Sequence, residues 1–484
     1  MNRQYYSVAF IISACLLLSL LYCPPFDPVY HDTEVYGYAG MAIMKGQVPY
    51  RDFFDHKPPL VFFVNFVGLL MGRWGLWIID FSLALLSTLA FFDLCRKYKL
   101  PYPWLLPLLF NLMIRDFLIF PDIGMTREYT AMFQLLFFCV LLGKYRHRYL
   151  LLGMLGALTL FMQQDQVFAL VPLGVYALLM DDPMSVRGRI IRIVSGFLAI
   201  MLPILLYFAG HHSLGNFWED AFQFNFSWYT AEKKSFGDHF RSIKLILDNT
   251  NYELPFMIAV TLGITALFLQ NKRKGLVLAA LTAVFFSMSS EFLKGKNEHD
   301  YLAYYFVSMS ASLPILLFTV FAFTEDRILT GRKAQLPYGF LLCCSLCYTA
   351  LQHATHLKRR NLDSPVMNYL REHKPGDYQV YIFTCGDYNF VYNELKTLSP
   401  SMWIYQHFWR WYDRWDADGH LLQSIGQDLI RHRTTYILID SIEFDQFRNA
   451  ANMAWWKAFL EEHYQPVQLS GTGTVTIWKI KDPA

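Results

Sequence analysis

Apolar runs that recur along the chain and end in short charged clusters constrain its fold more than any other feature. An apolar run of about 20 residues is long enough to cross the hydrocarbon core of a bilayer as a helix. Of the 484 residues, 54% are hydrophobic and 17% are charged, which is too apolar for an ordinary soluble protein of this length. The sequence therefore predicts a polytopic α-helical membrane protein.

The positions of these runs predict about eleven transmembrane helices. The first run follows only Met1 to Gln4 and precedes no small-residue cleavage site, so we interpret it as a retained anchor. The predicted spans lie near residues 5–22, 74–94, 101–120, 128–143, 149–163, 166–180, 190–209, 254–270, 275–290, 301–323 and 336–355.

Basic residues gather in every second loop, for example Arg96 and Lys97, then Arg187 and Arg192. This alternation is the positive-inside pattern of membrane proteins. With an odd number of spans, it predicts a cytoplasmic N-terminus and a C-terminus outside the cytoplasm. The formal net charge of +3 is small, and a nucleic acid is not among the expected partners.

The composition after residue 358 becomes that of a soluble domain, with strand-like runs at 379–383, 436–440 and 475–479. We therefore predict a transmembrane domain over residues 1–357 and a small α/β extracytoplasmic domain over residues 358–484. The loops on the predicted outer face, at 24–73, 120–127, 211–253 and 291–300, are long and rich in aromatic and acidic residues. We expect the chemistry on that face.

The first outer loop, residues 24–73, concentrates acids, two histidines and a lysine between two apolar segments. Transfer of a group to a hydroxyl needs a positioned carboxylate to accept the proton, and a departing phosphate needs cations nearby. Pro58-Pro59 then begins an amphipathic segment at 60–71 that is suited to a membrane interface. These features predict a reaction site at the membrane surface.

Three motifs in this loop resemble the GT-C glycosyltransferases: Asp32-Thr33-Glu34, then Gly46 to Asp52 with Pro49-Tyr50, then Lys57-Pro58-Pro59-Leu60. The closest similarity is to family 39, the group of protein O-mannosyltransferases and lipid A aminoarabinose transferases. Later segments, Thr126-Arg127-Glu128 and Asn297 to Tyr301, extend the resemblance. It implies a GT-C-like fold and inverting transfer of a sugar from a polyprenyl-phosphate donor to a hydroxyl, at the external face of the cytoplasmic (inner) membrane.

The resemblance also implies roles for particular residues. Asp32 corresponds to the general base, and the predicted catalytic residues are Asp32, Glu34 and Asp55. The second acid stays open among Glu34, Asp52 and Asp55, because the family often shows adjacent acids where this chain has Asp32-Thr33-Glu34. The residues predicted to bind the substrate are Lys57, Arg127, Glu128, His299 and Tyr301.

No cofactor is expected, although Asp32-Thr33-Glu34 leaves a divalent cation open through oxygen ligands. The expected partners are the polyprenyl-phosphate-linked sugar, membrane lipids and an acceptor that is a glycan, a lipid or a protein. Asp80 and Asp93 are expected to have structural roles, and Arg115 to neutralise charge near the outer surface. Two other functions stay open: a multi-pass transporter or lipid flippase, with sites near the bilayer midplane, and a non-catalytic envelope assembly protein.

Overall fold

Helices dominate the first two thirds of the chain. The computed structural model describes residues 3–20, 22–24, 31–115, 124–229, 253–268, 273–293, 309–323, 363–383, 388–404, 418–441 and 449–481. The N-terminal helices are α1 (Arg3–Leu20), α2 (His31–Met44), α3 (Leu60–Leu70), α4 (Gly75–Lys97), α5 (Leu105–Ile114), α6 (Thr126–Leu142), α7 (Arg148–Met162), α8 (Val171–Leu179), α9 (Val186–Gly210) and α10 (Leu214–Trp218). Further helices are Glu253–Phe268, Lys274–Leu293 and Ser312–Phe323.

The prediction of about eleven transmembrane helices is wrong. Among the described residues, only α4 and α9 are long and apolar enough to cross a membrane. The other apolar helices are shorter: α5, for example, has 10 residues, which is about 15 Å against a hydrocarbon core of about 30 Å. The predicted span 336–355 lies outside the described residues.

Burial inside the protein explains this error. Nearly every side chain of α6 is buried, so its apolar composition fills the interior of the helical part. The apolar stretch at 149–180 is divided among α7, a 3-10 segment at Gln164–Leu170 and α8. Composition alone does not separate a buried core helix from a helix that faces lipid.

Glycines allow α7 and α9 to approach closely. A Cβ atom on Gly153 of α7 would lie 1.9 Å from the carbonyl oxygen of Ile193, and one on Gly196 of α9 would lie 2.0 Å from that of Leu150. No side chain fits at either position. The contact therefore fixes α9, whose C-terminal end leads into the candidate site.

The C-terminal unit, residues 363–481 as described, contains a four-stranded sheet with strand order β1-β2-β4-β3. Strands β1 (Val380–Phe383) and β2 (Tyr436–Asp440) are parallel, whereas β4 (Val475–Ile480) pairs antiparallel with both β2 and β3 (Tyr464–Val467). Strands β1, β2 and β4 coincide with the three runs predicted from the sequence. The helices of the unit are Pro365–His373, Phe390–Leu395, His420–Arg431 and Ala450–His463.

The acids of the first motif lie on a helix, although the sequence placed them in a loop. Asp32 and Glu34 occupy the first turn of α2, where the positive end of the helix dipole favours negative charge. Pro59 precedes α3, as expected from a proline at the start of a helix. Residues 45–59 form the connection between α2 and α3, and the predicted domain boundary near residue 358 lies outside the described residues.

Candidate active site

The connection at 45–59 has a fixed, tightly turned structure. Tyr50 has a positive φ of 67°, its backbone N–H donates to the carbonyl of Phe53 at 2.8 Å, and its hydroxyl donates to the carbonyl of Lys57 at 2.7 Å. Its ring packs against Phe208 and Phe217, with centroids 5.4 and 5.6 Å away. The connection is thereby held against the end of α9, so its polar side chains have defined positions.

Asp52 faces an arginine at the edge of this connection. Its carboxylate accepts two hydrogen bonds from Arg51, at 2.8 and 2.7 Å, and one from the backbone N–H of Val48 at 2.7 Å. Burial alone would raise the pKa of Asp52, but these donors outweigh it and hold the pKa below its usual range. The carboxylate of Asp52 is therefore stabilised in its charged form by its hydrogen-bond donors.

Asp55 differs from Asp52 because it is only 1% exposed. Its Oδ1 accepts a hydrogen bond from the backbone N–H of Lys57 at 2.9 Å and lies 3.7 Å from Nδ1 of His56. Its Oδ2 is buried and accepts no hydrogen bond from any described residue. A carboxylate held in this way is expensive to ionise, which is typical of groups that exchange protons.

Burial raises the pKa of Asp55 to about 7. The backbone N–H and the positive charge of Lys57 act against this rise, whereas the nearby carboxylate of Asp32 adds to it. Asp55 therefore exchanges its proton close to neutral pH. These electrostatic effects also show that Asp32, Asp55 and Lys57, three of the predicted site residues, lie in one neighbourhood.

Asp220 is a further acid that interacts electrostatically with Asp55, and the sequence did not indicate it. It lies in a π-helical turn, Glu219–Gln223, that follows α10; such turns are frequent at functional sites. Burial raises the pKa of Asp220 to about 8, and the carboxylates of Glu219 and Asp55 add to the rise. The signal in the sequence was only the acidic and aromatic character of the predicted outer loop 211–253.

Contacts next to Asp220 join its segment to the 45–59 connection. The side-chain amide of Asn225 donates to the carbonyl of His56 at 2.7 Å, and the rings of Phe54 and Phe224 meet edge to face at 5.3 Å. Two of the predicted outer loops therefore meet at one site. We call Asp32, Asp55 and Asp220 the acidic cluster.

Glu34 is buried, with 2% exposure, and its carboxylate is held from the C-terminal unit. The side-chain amide of Asn393 donates to Oε2 of Glu34 at 2.7 Å and to the backbone carbonyl of Glu34 at 2.9 Å. Asp32, two residues earlier, is partly exposed. Of the predicted acids on α2, Asp32 is thus the one that a substrate can reach.

Of the other predicted binding residues, two are buried in the first turn of α6 and two are not described. Glu128 is fully buried and pairs with Arg115, which also pairs with Asp80. Arg127 is buried in the first turn of α6. His299 and Tyr301 lie outside the described residues. The convergence of Lys57, Arg127 and His299 on one phosphate stays a prediction.

A metal site has no obvious location in the described part of the chain. Within those residues, no group of three or more His, Cys, Asp or Glu side chains is arranged to hold an ion. The acidic cluster itself offers a reachable carboxylate, a buried carboxyl that exchanges a proton near pH 7, and the charge of Lys57. This set can accept a proton from a substrate and stabilise a negative leaving group.

Comparison with known proteins adds no identification. No protein-family model matches the chain, and no curated protein matches it significantly. The functional argument therefore depends on the residues of this chain.

Proposed function

We propose that the chain is a glycosyltransferase that moves a sugar from a polyprenyl-phosphate donor to an acceptor hydroxyl. The supporting observation is the acidic cluster beside Lys57: a buried carboxyl, Asp55, that lies within electrostatic reach of both Asp32 and Lys57. Asp32 and Lys57 belong to the motifs that resemble family 39, and Asp55 lies between the second and third of these motifs. The fold prediction of about eleven spans has no part in this proposal.

The proposed reaction is a single inverting displacement at the anomeric carbon. The acceptor O–H gives its proton to Asp32, and the acceptor oxygen forms the new bond to the anomeric carbon. The bond from that carbon to the phosphate oxygen breaks, and the polyprenyl phosphate departs with the electron pair, next to the cationic Lys57. Asp55, with a pKa of about 7, stands beside the base and exchanges protons with it.

A location at a membrane is part of the proposal, since the donor is a lipid. Helix α9 supports it because it carries large apolar side chains on the protein surface, at Ile190, Ile191, Val194, Leu202 and Leu206. A core helix of a soluble protein would bury them. We propose that α4 and α9 anchor the chain in the cytoplasmic membrane.

The basic residues support an orientation with the acidic cluster outside. Arg96 and Lys97 end α4, and Arg187 lies at the start of α9. Asp55 lies before α3, the helix that precedes α4, and Asp220 follows α9 after the short helix α10; the ring of Tyr50 in the 45–59 connection packs on Phe208 at the C-terminal end of α9. Basic ends remain in the cytoplasm. Because the C-terminal unit contacts α2, it lies on the same side as the cluster.

Transfer by the purified full-length protein tests the function. The assay uses a polyprenyl-phosphate sugar, candidate acceptors and mass spectrometry of the product, with Asp93→Asn as a matched control because Asp93 pairs with Arg96 and Lys97 at the far end of α4. We expect transfer with inversion, equal in Asp93→Asn and insensitive to chelation. No product with any acceptor would contradict the function, and activity restored by magnesium or manganese after chelation would contradict metal independence.

The membrane location has its own test. Alkaline extraction of membranes should leave the protein in the pellet, because α4 and α9 are anchored in hydrocarbon. Release into the supernatant would contradict the anchoring by α4 and α9. The transfer assay would still test the proposed reaction.

A further inference from the structure

The C-terminal unit contacts the segment that carries the proposed site at several points. The backbone N–H of Phe54 donates to the carbonyl of Met402 at 2.8 Å, and that of Ser399 donates to the hydroxyl of Tyr38 at 3.0 Å. The rings of Phe54 and Trp403 lie 4.7 Å apart. The unit is thus docked on both α2 and the 45–59 connection.

One contact in this interface reaches a predicted catalytic acid. Both hydrogen bonds from the amide of Asn393 end on Glu34, one on the carboxylate and one on the backbone. The amide also packs closely against α2 at Gly37, because a Cβ atom added to this glycine would lie 3.1 Å from Nδ2 of Asn393. The side chain of Asn393 is therefore fixed in both position and direction, with its N–H groups toward Glu34.

We propose that Asn393 is a positioning residue for the reaction: from the C-terminal unit, its two hydrogen bonds to Glu34 hold the first turn of α2, which also carries the proposed base Asp32. The site is then complete only when the C-terminal unit is docked. This inference rests on the proposed transferase function. It gives the C-terminal unit a part in catalysis that acts through α2.

The chemistry of the contact explains why an asparagine fits here. A carboxylate only accepts hydrogen bonds, and an amide can donate two N–H groups without adding a charge. A lysine or arginine would also hold Glu34, but its charge would act on the neighbouring Asp32. Asn393 therefore orients one acid and leaves the charge of the site unchanged.

Two variants of Asn393 separate positioning from docking in the full-length protein. Asn393→Leu removes both N–H groups at similar volume and should lower kcat about tenfold or more, with little change in the donor KM. Tyr38→Phe is the matched control, because it deletes one hydrogen bond across the same interface one turn further along α2. It should retain kcat. Hydrogen exchange of the first turn of α2 reports docking in each variant.

A third variant, Asn393→Asp, gives a signature that a purely structural contact lacks. At low pH the two facing carboxyl groups share a proton, and the protonated partner donates to Glu34 as the amide does; at higher pH both ionise and repel. The ratio of Asn393→Asp to wild-type transfer should therefore fall as pH rises, whereas the ratio for Asn393→Leu stays flat.

Gly37→Ala displaces the amide without removing any polar group, so it should lower kcat in the same sense as Asn393→Leu. Wild-type kcat in Asn393→Leu, or equal losses in Asn393→Leu and Tyr38→Phe, would overturn the positioning role while transfer by the wild type stands. An inactive wild-type protein would instead overturn the proposed function, and this inference with it.

Discussion

Two groups of acids occupy the helical part of the molecule, and they differ in their counter-charges. Asp80 and Glu128 both pair with Arg115, and all three are at most 1% exposed. In the acidic cluster, no described arginine or lysine forms an ion pair with Asp55 or Asp220. The first group shares a buried arginine as its counter-charge, whereas Asp55 and Asp220 have no such partner among the described residues.

We interpret the Arg115 group as part of the structural framework and the acidic cluster as a reaction site. A buried ion pair links the elements that carry its members, and here Arg115 joins α4, α5 and the start of α6. An uncompensated carboxyl costs stability, so its retention indicates a use for the group. Each group contains at least one buried acid, and the shared arginine distinguishes the first group from the second.

The largest expected effect comes from breaking the compensated group. Arg115→Leu leaves Asp80 and Glu128 buried without a cation, so we expect a loss of about 3–5 kcal/mol in the free energy of unfolding. Arg96→Leu is the control, because the Arg96–Asp93 pair is exposed and should change stability by less than about 1 kcal/mol. A small loss for Arg115→Leu in thermal or denaturant unfolding would remove the contrast between the two groups.

Removal of the charge of Lys57, next to the acidic cluster, should affect the reaction and not the stability. If its charge serves the leaving phosphate and not the fold, Lys57→Met should lower kcat/KM about ten- to hundredfold, with weaker donor binding. Stability should change little, in contrast to Arg115→Leu. Steady-state kinetics and donor titration give the two quantities, and unchanged donor binding would contradict the role.

Removal of the charge of Asp55 should stabilise the protein. Its pKa is about 7 when folded, against an ordinary value of about 4. The folded state therefore holds the proton more tightly, and the stability gained from this is complete below about pH 4 and is lost as pH rises through 7. Asp55→Asn should lack this decline and exceed the wild type by up to about 4 kcal/mol at pH 8, because the pKa difference of about 3 is worth about 1.4 kcal/mol per unit. Parallel unfolding profiles between pH 4 and 8 would show that Asp55 is not an uncompensated acid.

Asp52 should show the smallest effect, with the opposite dependence on pH. Its pKa is lowered in the folded state, so its contribution is present above about pH 4 and is lost as pH falls through the lowered pKa. Because the Arg51 pair lies near the surface, Asp52→Asn should cost less than about 1 kcal/mol at pH 7. A larger loss in the free energy of unfolding would show that Asp52 contributes to stability as a buried ion pair does.

The sequence predicted correctly the elements whose ends are set by neighbouring residues in the chain. The strands β1, β2 and β4 and the start of α3 after Pro58-Pro59 were found because turn residues and proline bound them in sequence. The number of spans was wrong because buried helices such as α6 and lipid-facing helices share the same composition.

The site shows the same limit. Motifs indicated Asp32 and Lys57, Asp55 was one of three acids left open between them, and the structure brings these three together. Asp220 and Asn393 lie in no motif, because their importance arises only where distant segments meet. The pairing of Glu128 with Arg115 is likewise a product of packing between helices.

The transfer rate of Asp32→Asn, compared with that of Asp80→Asn, tests the account most directly. Asparagine keeps the size of the carboxylate but cannot take the proton, so single-turnover transfer from bound donor should fall at least about a hundredfold in Asp32→Asn, with stability and donor binding retained. Asp80→Asn should unfold more easily, and its folded fraction should transfer at the wild-type rate. Full transfer by Asp32→Asn would contradict the account.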